Sequence, residues 1–115
     1  MSVYVVAPLC AEAERELARR GAEAANLRVR AICLPSDESS RKLDLAQIGA
    51  NARRATEDSS SIAYIGERTK AASRFSEPIL EAADIPQYAG ISGVEAMEKL
   101  LMDLEEGRVS PRGNL

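Results

Sequence analysis

The chain has 115 residues and a net charge of −3, with 45% apolar and 29% charged residues; that balance fits one globular domain with a single core, and the length is too short for two. It contains no His, no Trp and one Phe, which removes the commonest general base and metal ligand and, with an acidic balance, argues against a nucleic-acid partner. No apolar run approaches the ~20 residues of a membrane span, so no membrane insertion is expected.

Residues 3–9 (VYVVAPL) are an almost unbroken β-branched and apolar run, the pattern of a strand covered on both faces. The run is too short for a signal-peptide core, no basic segment precedes it, and Leu9 ahead of Cys10 spoils a lipoprotein-type cleavage site. As written, the chain reads as cytoplasmic, or as a mature or trimmed form. Residues 11–26 predict a helix with a small-residue face of Ala13, Leu17, Ala18, Gly21, Ala24 and Ala25. Residues 27–34 (LRVRAICL) begin by alternating Leu27, Val29 and Ala31 against Arg28 and Arg30, which predicts an edge strand with one solvated side. Residues 35–41 (PSDESSR) read as a loop. A second helix follows over 43–58, with Leu43, Ala46, Ile48 and Ala55 among its apolar positions. The third strand is 61–66 (SIAYIG). A third helix over 70–83 contains Pro78 and is predicted to kink or restart near Ser76. A short fourth strand spans 86–91 and opens on Pro86. The strongest helix is 94–106, with Val94, Met97, Leu100, Leu101 and Leu104 on one face and Gly107 as its stop.

This order predicts an α/β domain of the three-layer, flavodoxin-like (Rossmann-like) kind. Its parallel sheet has four strands and four helices, with strand order 2-1-3-4 reached by right-handed crossovers. Residues 1–107 make the single domain, and 108–115 a loosely held polar tail. In such a sheet the turns leaving the strands gather at one rim, where open α/β sheets take their ligands.

Four segments should meet there: 8–10, 36–40, 66–70 and 90–93. Helix N-termini at that rim offer N–H groups to a carboxylate or phosphate. Arg68, Thr69 and Lys70 add donors, and Leu9, Cys10, Ser92 and Gly93 complete the candidate ligand site. Each residue also has a plainer role. Thr69 fits a helix cap, Arg68 and Lys70 fit solvated cations, and Ser92-Gly93-Val94-Glu95 fits a capping box. Asp37, Glu38 and Asp44 read as loop solvation, because a phosphoacceptor site would need its acids at the ends of the first and third strands.

Cys10 and Cys33 fall near the ends of two strands expected to be neighbours. Alone they cannot make a zinc site, and they read most simply as small buried apolar residues. A disulfide needs a Cα separation of about 4.4–6.8 Å, which spacing does not reveal. As a nucleophile Cys10 has no His to activate it. No G-x-G-x-x-G fingerprint is present, and neither cofactor nor metal is expected.

Several stretches in collinear order resemble the amino-terminal lobe of the type I periplasmic binding protein family, in its branched-chain (Leu/Ile/Val-type) amino acid receptor branch. VYVVAPL resembles the opening strand and its Pro-Leu turn, RRGAEAAN a first-helix end, and LPSDES the acidic loop after a strand. LAQIGANARRATEDSSSIAYIG resembles the helix and strand ahead of the ligand loop, SEPILEAADIPQ the Pro-Ile-Leu…Ile-Pro run, and AMEKLLMDLEEGRVSPRGNL the closing helix and tail. The resemblance covers nearly the whole chain and one lobe only. It implies a solute-binding module with a periplasmic or extracellular setting. In the family a Ser after the Ile-Gly strand helps hold the ligand; here Lys70, or Ala71 with a one-residue slip, stands in its place, and Ser92 is the hydroxyl retained after the fourth strand. The expected function is binding of a small anionic or amino-acid-like ligand by a homodimer, without enzyme activity. The alternative is a ligand-free structural or regulatory dimerisation domain.

Overall fold

The computed structural model describes residues 1–20, 28–36, 38–39 and 42–110. Its element order is β1 (Ser2–Val6), α1 (Ala7–Arg19), β2 (Arg30–Leu34), β3 (Glu38–Ser39), β4 (Lys42–Leu43), α2 (Leu45–Glu57), β5 (Ser61–Ile65), α3 (Lys70–Ser73), α4 (Glu77–Ala82), β6 (Gln87–Tyr88) and α5 (Gly93–Glu105). The main sheet has four strands in the order β2-β1-β5-β6, every pair parallel. This is the predicted 2-1-3-4 order, with the predicted edge strand, β2, at one side.

The two central strands are buried along their whole length, as their continuous apolar runs require. Helix α1 packs on α5 and α2 on α4, so each face of the sheet carries a helical layer. The core joins Val3, Val5, Val6 and Leu34 to Ile62, Ile65 and Leu80, and to Met97, Leu100 and Leu101 of α5. Gly93 is where α1 and α5 come closest. A Cβ on Gly93 would collide with the Leu9 carbonyl and with Glu12, so only a residue without one allows this approach.

Several boundaries differ from expectation. The first strand stops at Val6, and α1 begins at Ala7 with Pro8 in its first turn. Proline fits there because the N–H it lacks has no intrahelical partner at a helix start. The predicted third helix is two helices, and the restart falls at Ser76 as predicted, giving five helices among the described residues in place of four. The loop after β2 contains a two-stranded antiparallel hairpin, β3–β4. Helix α2 starts at Leu45, capped by Asp44, whose carboxylate accepts from Gln47 N–H at 3.0 Å. Leu43 and Leu45 are therefore exposed, while Ile48 and Ala55 are buried. The expected tail begins by docking: Val109 is buried, and both Arg108 N–H and Val109 N–H donate to the Asp103 carbonyl. Residues 21–27, the end of the first predicted helix and the start of the second predicted strand, lie outside the described residues, as do Asp37, Ser40, Arg41 and 111–115.

At the amino end of β5 the Asp58 carboxylate accepts from the Ser60 hydroxyl (2.7 Å), the Ser60 N–H (2.8 Å) and the Tyr4 hydroxyl (2.7 Å). These bonds, the Ser60 hydroxyl foremost, hold its carboxyl at about 2. Tyr88 on β6 donates to Asp103 of α5 at 2.6 Å. Burial first, and that bond second, push its phenol well above the ordinary tyrosine range.

Candidate functional site

The parallel order places the ends of β1, β2, β5 and β6 at one rim, as inferred. The loop leaving β5 begins at Gly66. Gly66 has φ +146°, and a Cβ there would meet Val6 Cγ1 at 2.7 Å. Its peptide to Glu67 is cis.

Glu67 is fully buried. Its side chain turns inward to polar partners that include Tyr64, Ser76 and Gln87. The Tyr64 hydroxyl of β5 donates to Oε1 at 2.8 Å. The Ser76 hydroxyl, at the α3–α4 junction, donates to Oε2 in a short bond. The Gln87 amide of β6 lies 3.5 Å from Oε2 and donates to Ser76 Oγ at 2.8 Å and to the Gly66 carbonyl at 2.7 Å. A buried carboxyl group is tolerable only when its oxygens are bonded in this way. The network fixes the 66–70 loop against β6 and against the start of α4.

The predicted site residues divide between core and surface. Leu9 and Cys10 are buried in the first turns of α1. Thr69 caps α3, its hydroxyl accepting from Ala72 N–H at 3.2 Å. Ser92 caps α5, its hydroxyl accepting from Glu95 N–H at 3.1 Å, and Glu95 in turn pairs with Lys99 at 3.6 Å. Gly93 is buried, and its N–H donates to Glu12 Oε1 at 3.3 Å. The anion at the α5 N-terminus is therefore the chain's own Glu12 carboxylate. Arg68 and Lys70 are exposed. The stem of Lys70 covers Gly90, where a Cβ would sit 2.6 Å from its Cγ, so Lys70 joins the loop after β5 to the loop after β6.

Below Lys70 lies an open groove of about 650 Å³ along the side of β6 that, among the described residues, pairs with no strand. Lys70 lines it from α3 and Arg74 from that helix's C-cap, Glu77 and Glu81 from α4, and Gln87 and Ala89 from β6 and the residue after it. Tyr88 directs its carbonyl to Gly66 N–H, and Pro86 its carbonyl to Tyr64 N–H. By strand alternation the backbone groups of Gln87 point the other way, away from β5. Neither this groove nor the Glu67 network was among the sequence-derived candidates.

Cys10 and Cys33 form a disulfide with a Cα separation of 5.7 Å. Cys10 is buried as expected, whereas Cys33 is exposed, which corrects the expectation of two buried residues. Val5 and Cys33 are register partners, which brings Cys33, although exposed, to the first turn of α1 that follows β1. No family model, curated protein or solved structure matches the chain.

Proposed function

We propose that this chain is a binding module for a small amino-acid-like or carboxylate ligand, seated in the groove under Lys70, and that it is not an enzyme. The observation that carries this reading is the charge layout of a groove whose mouth is held rigid. Lys70 of α3 and Arg74 just after it supply cations, and Glu77 and Glu81 supply carboxylates from α4. An amino acid carries one group for each sign. The buried Glu67 network keeps the loop that leads into Lys70 in one place, and a pre-formed site loses less ordering entropy on binding. The resemblance to one lobe of type I periplasmic receptors agrees with this ligand class.

Thermal denaturation against a panel of amino acids and small carboxylates tests it. A ligand present at a hundred times its Kd stabilises the folded chain by about 2.7 kcal/mol, a rise of several degrees in Tm. Arg74→Ala should abolish the rise for every ligand. Glu81→Ala should abolish it for amino acids and leave simple carboxylates unaffected. Both residues are exposed, so both variants should fold. No rise across the panel refutes the reading.

The groove side of β6 favours a second reading, the ligand-free homodimer. Two copies meeting antiparallel through β6 would extend the sheet. Their two-fold would set Lys70 and Arg74 of each copy against Glu77 and Glu81 of the other. Sedimentation shows whether a dimer forms. In this reading reversing Arg74 to Glu weakens it, and reversing Glu77 and Glu81 to Lys in the same chain restores it.

A further inference from the structure

Cys10, Glu14 and Cys33 converge on one corner of the molecule, away from the groove. Cys10 and Glu14 lie one turn apart on α1, and Cys33 lies on β2. Glu14 Oε1 is 3.4 Å from Cys10 Sγ and 3.2 Å from Cys33 Sγ. Bonded to each other, the two sulfurs have no proton to donate. The carboxylate therefore rests against them without a hydrogen bond from either.

We propose that reduction of the Cys10–Cys33 bond turns this corner into a binding site for a thiophilic divalent cation of the Zn(II) class, held by the two sulfurs and the Glu14 carboxylate. Two thiolates and a carboxylate suit such a cation, and the three donor atoms already lie within 4.8 Å of one another. A tetrahedral centre with metal–sulfur bonds of about 2.3 Å and metal–oxygen bonds of about 2.0–2.2 Å separates sulfur from oxygen by about 3.5 Å and sulfur from sulfur by about 3.8 Å. Both sulfur–oxygen edges stand close to that now. The sulfur–sulfur edge opens when the bond between them is cut, by side-chain rotation alone, since a Cα separation of 5.7 Å suits a chelating pair as well. The backbones of all three ligands belong to an α-helix and a sheet strand, so the site does not have to be assembled from loops. Cys33 and Glu14 are exposed, which leaves an entry path and a fourth coordination position for water.

The exchange balances with a dithiol as the reductant. One of its thiolates attacks a sulfur of the protein disulfide, and that S–S bond breaks as a mixed disulfide forms. The second thiol of the reductant then closes onto the first, leaving as a cyclic disulfide with two fewer electrons. Cys10 and Cys33 gain those two electrons and the two protons. Cation binding releases both protons to solvent. Disulfide and bound cation therefore exclude one another, and the corner holds a cation only in its reduced form.

The test uses the full chain, reduced with excess dithiol and desalted without air. Its far-ultraviolet circular dichroism is recorded first; a reduced chain that has lost its folded spectrum overturns the proposal. Zn(II) is then titrated against a chromophoric chelator, and Cd(II) is followed by its thiolate charge-transfer absorption. The expected result is one equivalent bound by the reduced chain and none by the oxidised chain. Glu14→Gln, at an exposed position, should weaken binding by more than the about 10–100-fold that losing even an outer-shell partner costs. Cys33→Ser should abolish the charge-transfer pattern of two thiolates. Equal affinity in Glu14→Gln, equal binding by the oxidised chain, or no stoichiometric binding by the reduced chain each refutes the site.

Discussion

Replacing Ser76 by Ala tests whether the buried carboxyl network holds the rim in place. Ser76 is fully buried. Its hydroxyl donates to Glu67, also lies 3.2 Å from the Ser73 carbonyl, and accepts from Gln87 Nε2. The substitution removes one donor from a buried carboxyl group and one acceptor from a half-buried amide, with almost no change in volume. A neutral hydrogen bond contributes about 0.5–1.5 kcal/mol and one to a charged group about 1.5–3 kcal/mol, and a stranded partner adds its own desolvation cost. The expected loss is about 2 kcal/mol. It is not a lost cap in disguise, because the Ser76 side chain caps nothing on α4. Thr69→Ala, which removes only a cap, provides the scale, at about 1 kcal/mol. Urea denaturation with the disulfide intact measures both, and with an m value of about 1–3 kcal/mol per molar the Ser76→Ala midpoint should fall by about 1 M. Tyr64→Phe removes the other hydroxyl on the same carboxyl group. The double variant should therefore depart from additivity by at least about 0.5 kcal/mol. A Ser76→Ala loss below about 0.5 kcal/mol, the scale of an ordinary surface change, would refute the claim that Glu67 clamps the loop.

Asp58, held at about 2 against an unfolded value of about 3.9, contributes stability that is present above pH 4 and lost as the pH falls towards 2. Allowing for solvent screening of a partly exposed group, acid titration of the unfolding midpoint should show about 1 kcal/mol of this, and Ser60→Ala should reduce it. Tyr88 has its folded value raised, so its contribution is complete below about pH 10 and falls as the pH rises further; Tyr88→Phe should flatten that alkaline limb. Gly93→Ala drives a methyl group into the Leu9 carbonyl and should cost about 1–3 kcal/mol in thermal or urea unfolding. Reducing the disulfide, which closes a sequence separation of 23, should cost about 3 kcal/mol on the loop-entropy account and leave the domain folded.

The strand order was legible because β1 and β5 are unbroken apolar runs and the segments between them are long enough for crossover helices. The restart at Ser76 was legible because Pro78 cannot sit inside a continuous helix. The start of α1 was not, because Ala7, Pro8 and Leu9 extend an apolar strand pattern that the proline closes as a first helical turn. The β3–β4 hairpin has two residues per strand, too few to show alternation. The Glu67 network was illegible because an acid next to Arg68 in a turn signals solvent. Its partners Tyr64, Ser76 and Gln87 are scattered over three elements, and only the fold brings them together. Likewise the disulfide depends on the Val5–Cys33 register, which spacing along the chain does not encode.

The seam between α1 and α5 sets an order on biosynthesis. Leu9, Cys10 and Ala13 are among the buried residues of α1, and their cover includes a helix that begins about 80 positions later, where Gly93 N–H meets Glu12. Ribosomes extend chains at about 5–20 residues per second. For several seconds the emerging polypeptide must therefore keep an oily stripe without its lid, and this seam can close only after α5 has cleared the exit tunnel.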